Sequence, residues 1–124
     1  MTTRVESLNL LNGLLGANVI YGRVDASIAG PRGVFKTAVG NFVNLSVAGH
    51  PEIGDNVAYN TSVDILGLGT LYLKRVLRHD HTPSSIEIRM VELVVNQDNS
   101  YGLPIGADIV IGDAQLGIVP ASEP

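Results

Sequence analysis

Polar and apolar residues alternate with a period of two along most of this 124-residue chain, and Gly, Pro, Asn and Asp interrupt the alternation at short intervals. Successive side chains of a β-strand point to opposite faces, so the pattern is that of strands with one dry and one wet face. A helix needs apolar residues at i, i+3, i+4 and i+7 behind a capping signal, and no long segment has them. The expectation is an all-β fold, an antiparallel β-sandwich or a jelly-roll-like domain. Residues 1–124 are the length of one domain, and such a chain buries a core without staples.

The expected strands cover residues 5–11, 17–29, 34–39, 42–48, 61–66, 70–78, 85–96 and 107–119. Asn12-Gly13 is a hairpin-type dipeptide that ends the first strand. Gly30-Pro31-Arg32-Gly33 and the segment 80–84 around Pro83 read as turns, Gly40-Asn41 as a break, and 120–124 as a frayed tail. Gly67-Leu68-Gly69 joins two strands, so Gly67 and Gly69 are expected in a hairpin turn, at least one with positive φ. Thr70-Leu71-Tyr72-Leu73 and Met90-Val91-Glu92-Leu93-Val94-Val95 are apolar on both faces. A strand of that kind is central, lies in a covered barrel, or meets another subunit.

Composition sharpens the last possibility. Hydrophobic residues make up 45% and charged residues 16%, with a mean hydropathy of +0.25. An average soluble domain carries about 25% charged residues. The shortfall implies that other copies of the chain cover some apolar surface. Residues 1–11 suit a strand donated to a neighbour, with Val5, Leu8, Leu10 and Leu11 as its anchors, and a plain hairpin with the next strand is the competing reading. The net charge is −4 and the densest basic cluster is Lys74-Arg75 with Arg78, too little for nucleic-acid binding. No apolar run approaches the roughly 18 residues of a membrane span. Glu6 and Asn9 interrupt any apolar core of a secretory signal, so the expectation is a chain not exported by that route or one whose signal was removed earlier.

Catalytic chemistry has little to stand on. Cys is absent, which removes thiol nucleophiles and disulfides, and no Gly-x-Ser-x-Gly or phosphate-cradling loop occurs. His79 and His81 lie two residues apart, a spacing that aims both imidazoles to one face of a strand, and they are the sole metal candidates. His50 is the one further histidine, and the alternative reading of His79-Asp80-His81 is a polar turn. Asp25, Asp64, Glu87 and Glu92 fall inside strands, where Arg23, Lys74, Arg75 and Arg89 are available to pair with them. Neither a catalytic residue nor a cofactor is expected.

Three ordered stretches resemble the choice-of-anchor P family of bacterial surface proteins: Leu10-Leu11-Asn12-Gly13-Leu14-Leu15; Phe42-Val43-Asn44-Leu45-Ser46-Val47-Ala48-Gly49 with Asn56-Val57-Ala58-Tyr59-Asn60-Thr61 and Leu66-Gly67-Leu68-Gly69-Thr70; and Met90-Val91-Glu92-Leu93-Val94-Val95 with Gly102-Leu103-Pro104-Ile105-Gly106-Ala107-Asp108-Ile109-Val110-Ile111-Gly112. The resemblance implies an extracellular or cell-surface domain of a Gram-positive bacterium without a catalytic role. A spore surface, assembled from the mother-cell side, is a second location that needs no export signal. The expected function is a structural subunit that self-assembles into a filament or surface layer. The alternatives are a monomeric adhesion or ligand-binding module using loops 49–59 and 97–106, and a small metal enzyme at His79 and His81.

Overall fold

The computed structural model describes residues 1–28, 34–80 and 84–118. Its strands are β1 (Thr2–Leu10), β2 (Leu15–Ile28), β3 (Val34–Val43), β4 (Ser46–Val47), β5 (Thr61–Ile65), β6 (Gly69–His79), β7 (Ser84–Val95) and β8 (Asp108–Ile118). They form two antiparallel sheets packed face to face, with no helix among the described residues. The N-terminal sheet has the order β1-β2-β3, with β4 also on β2; the C-terminal sheet has the order β5-β6-β7-β8. Every neighbour along these two paths comes next in chain order, so the architecture is a sandwich of two meanders rather than a jelly roll. The buried core runs between them through Leu15, Ile20, Val24 and Phe42 on one side and Leu71, Leu73, Ile88, Met90 and Leu93 on the other.

Gly40-Asn41 is not a break. β3 runs straight through it, paired with Gly22 and Tyr21 of β2. The glycine is there for packing: a Cβ at Gly40 would lie 2.6 Å from Met90 Sδ. Cβ atoms at Gly22 and Gly112 would each come within 3.2 Å of the same methionine. Three glycines from three strands thus form the hollow that Met90 fills, a close approach that a side chain would obstruct.

Both sheets carry a crease where alternation fails. In the C-terminal sheet Lys74, Met90 and Gly112 lie side by side on β6, β7 and β8, and the ladder skips this row. Lys74 has φ +51 and Gly112 φ +73. A left-handed residue inside a strand rotates the residues after it to the other face. Two successive residues of β7, Met90 and Val91, are therefore both buried. The N-terminal sheet has the matching row at Ser7, Asn18 and Asn44, with φ +54 at Ser7 and φ +55 at Asn44. Past Asn44 the chain resumes as β4 on the same edge of β2. Here the inner face skips a residue: Ala17 and Ile20 are buried, while Asn18 is exposed and Val19 half-buried.

Strict alternation along β1 would place Val5 opposite Leu8 and Leu10. The crease at Ser7 instead puts Val5, Leu8 and Leu10 on one side, where with Leu11 they pack against the chain's own core. β1 is thus one arm of a hairpin with β2, closed by residues 11–14. At the other hairpin Gly67 has φ +73, whereas Gly69 has an ordinary φ and is constrained by space, since a Cβ there would run into the Val94 carbonyl. The expected turn at residues 30–33, His81, Pro83 and the tail 120–124 lie outside the described residues.

Candidate functional site

The outer face of the N-terminal sheet is the first candidate surface. On β3, Phe35, Val39 and Val43 point away from the core and are 56%, 43% and 44% exposed. Their cross-strand neighbours on β2 are Ser27, Arg23 and Val19. The charges on this face cancel in pairs: Arg23 holds Asp25 at 2.7 Å and Arg4 holds Glu6 at 3.0 Å. The result is a neutral face with an apolar row along one edge. Among the loops, Leu66, Tyr101 and Ile105 are 97%, 41% and 62% exposed.

The outer face of the C-terminal sheet is ionic. Glu92 is only 1% exposed and accepts hydrogen bonds from Arg75 at 2.6 Å and Arg89 at 2.8 Å. Arg89 also binds Glu87 at 3.0 Å, and the Arg75 guanidinium stacks 4.4 Å from the centre of the Tyr72 ring. Asp108 and Asp113 on β8 complete the cluster. Burial pushes Glu92 up, but hydrogen bonds from Arg75 and Asp108 and the arginine charges outweigh it and hold the carboxyl low. The same balance holds Glu87 low: burial is overcome by hydrogen bonds from Asp113 and Arg89. The two β8 carboxyls go the other way. Burial, then a hydrogen bond to Glu92, raises Asp108; burial, then a hydrogen bond to Glu87, raises Asp113 to about 6. In each pair of carboxyls the two shifts go in opposite directions, because two like charges at contact distance are costly.

Free edges of the sheets are blunted. On β3, the Tyr59 hydroxyl accepts the Gly40 N–H at 3.1 Å and Arg78 donates to the Lys36 carbonyl at 2.8 Å. Just before the start of β5, Asn60 imitates a strand residue on β6: its N–H donates to the Lys74 carbonyl at 2.8 Å and its side-chain oxygen accepts the Val76 N–H at 2.7 Å. The outer strands β1 and β8 each carry a left-handed residue in mid-strand, Ser7 and Gly112. An interrupted or occupied edge is a poor template for a further strand.

The residues singled out from sequence do not meet at one place. His79 is exposed at the end of β6, where its carbonyl accepts a 2.8 Å hydrogen bond from buried Lys36. His50 is in another loop, paired with Glu52 at 3.0 Å. Among the described residues no three of His, Cys, Asp and Glu are grouped to hold a metal. Both loops, 49–59 and 97–106, spend polar side chains on the chain's own backbone. Asp55 accepts the N–H groups of Asn44 and Leu45 at 3.1 and 2.8 Å. Asn99 accepts those of Tyr101 and Leu103 at 3.1 and 3.0 Å. The strand acids Asp25, Glu87 and Glu92 do pair with strand arginines, but among the described residues Asp64 accepts the Thr70 hydroxyl, at 3.4 Å, and no cation, and Lys74 points inward to the Val57 carbonyl at 3.1 Å. The parts of Asp108 and Asp113 were not legible, because their facing the cluster depends on the crease. No protein-family model, curated protein or solved structure matches the chain.

Proposed function

We propose that the protein is a non-catalytic structural subunit whose copies associate through the outer face of the N-terminal sheet. The observation that carries this reading is the row Phe35, Val39 and Val43, exposed along an edge strand on a face whose charges already cancel. Such a face loses little by leaving water: apolar area is gained at about 25 cal/mol per Å², and no unpaired charge is buried. A closed homodimer or an extended polymer is built from the same contact, depending on whether the rotation between copies closes. The blunted edges favour side-chain contact between faces over donation of β1 as an exchanged strand. An extracellular, cell-surface or spore-surface location is part of the proposal and rests on the resemblance to choice-of-anchor P proteins.

Sedimentation velocity and negative-stain microscopy of the purified chain test it. The expected result is a concentration-dependent assembly that Val39→Lys dissolves into folded monomers and that Leu66→Ser leaves intact. A monomer at every concentration, or an assembly indifferent to Val39→Lys, would overturn the proposal.

A further inference from the structure

Between the free edge of β3 and the upper half of β6 is an open cavity of about 300 Å³ lined by Ala38, Tyr59, Asn60, Val76 and Arg78. Three side chains that line it, Arg78, Tyr59 and Asn60, have donor capacity to spare. Arg78 spends one N–H on the Lys36 carbonyl and is otherwise exposed. The Tyr59 hydroxyl accepts from Gly40, which leaves its own proton free to donate. The Asn60 side-chain oxygen is occupied by the Val76 N–H, which fixes the amide orientation and turns its NH₂ outward to other partners. Alternate residues of an antiparallel strand point both backbone groups to the same side. The Lys36 carbonyl and the Gly40 N–H both reach the free edge, so the Ala38 N–H and carbonyl between them do too.

Charge agrees with this donor set. Among the described residues, Arg4, Arg23, Lys36, Arg75 and Arg89 each have a carboxylate partner within 4.0 Å, whereas Lys74 and Arg78 have none. Both unmatched cations flank Tyr59. The Lys74 ammonium lies 5.0 Å from the centre of its ring and 6.0 Å from that of Phe42, behind the cavity wall. In a chain of net charge −4, Arg78 in the cavity and Lys74 against the Tyr59 ring, neither with an acid partner among the described residues, are a local excess of positive charge.

We infer that this cavity binds a carboxylate group, held by the Arg78 guanidinium with the Asn60 amide, the Tyr59 hydroxyl and the Ala38 N–H. A planar guanidinium matches a carboxylate with two parallel hydrogen bonds, and the backbone donor and hydroxyl fix its orientation. The group belongs either to a small free acid or to the C-terminus of a peptide. The cavity is separate from the assembly face, since the Ala38 side chain is inside the sandwich edge while Val39 points to the opposite face.

Ligand-observed saturation-transfer NMR with sodium acetate, at constant ionic strength, tests it at any assembly size. Saturable transfer to acetate is expected, with none to neutral acetamide. Arg78→Gln should weaken binding by about tenfold or more, and Arg78→Lys, which keeps the charge without the fork, by less. Val110→Lys, on the outer face of the C-terminal sheet, should change nothing. Circular dichroism checks that each variant is folded, and Arg78→Lys carries the test should Arg78→Gln fail to fold. Triglycine with a free C-terminus, compared with its amide, separates the sources: binding at least about tenfold tighter than acetate assigns a peptide C-terminus, and equal binding assigns a small acid. No saturable transfer, equal transfer to acetamide, equal competition by inorganic phosphate, or unchanged binding in folded Arg78 variants would overturn the inference.

Discussion

The two outer faces of this sandwich are built from similar strands and end in opposite chemistry. On the N-terminal sheet, two ion pairs lie within single strands, Arg4 with Glu6 and Arg23 with Asp25, and Phe35, Val39 and Val43 stay in water. On the C-terminal sheet, four carboxyls and two guanidiniums from three strands form one connected cluster, and Glu92 at its centre is removed from solvent. Exposed pairs between neighbours on one strand contribute little, because water screens them and long side chains lose freedom. A shared, desolvated carboxylate held by two arginines ties β6 to β7. The second face is therefore covered by the chain's own ion pairs, with four carboxyls to two guanidiniums. The first is neutral and unfinished.

The largest effect expected from breaking this contrast is on the ionic face. Glu92→Gln removes the carboxylate that Arg75 and Arg89 share and turns a donor NH₂ towards one of them. It should cost about 2–3 kcal/mol in chemical denaturation, below the full penalty for a buried pair because both guanidiniums reach water. A loss within experimental error would mean the cluster is no more than the surface pairs opposite. Next in size is association: Val39→Lys should remove it while changing monomer stability by no more than about 0.5 kcal/mol. Val110→Lys, at a comparably exposed position (37%) on the ionic face, should leave association untouched. Equal effects of the two substitutions would erase the distinction between the faces.

Asp113 offers a smaller effect with a definite sign. Its folded pKa of about 6 is above the ordinary 3.8, so the folded chain holds a proton that the unfolded chain has released. The stability this provides is full below about pH 4 and is lost as pH rises through about 6. Asp113→Asn keeps the neutral form at every pH. It should match the parent near pH 4 and be more stable at pH 8, by under about 1 kcal/mol because the side chain is only partly withdrawn from water, which screens its charge. Thermal melts at both pH values check it; a variant less stable at pH 8 would mean the Asp113 charge is favourable there. The smallest effect concerns salt. Raising NaCl should weaken the ionic face slightly and leave association unchanged, since that contact rests on apolar area. Dissociation by salt, read by sedimentation, would point to charges as the adhesive.

The alternating pattern was enough to establish the sheets and most strand positions, because period two forces one face dry wherever a strand is half-buried. It also placed the arginines and acids of β6 and β7 within reach of one another. It misread Gly40-Asn41, since a glycine that makes room for Met90 carries the same letter as one that turns the chain. The cluster at Glu92 was legible only in part. In a regular strand Arg89 and Glu92 point to opposite faces, and so do Tyr72 and Arg75. They share a face because left-handed residues at Lys74 and Gly112 set the outward spacing to three along that row. A left-handed lysine is intrinsically unfavourable, so local propensity would not choose it. Packing against the other sheet does, because Met90 and Val91 both enter the core there while the facing sheet skips a residue. Sequence by itself thus determined that the chain makes antiparallel sheets and which residues are apolar. Tertiary structure alone decided which residues share a face across the crease, because that depends on two sheets bending to fit each other.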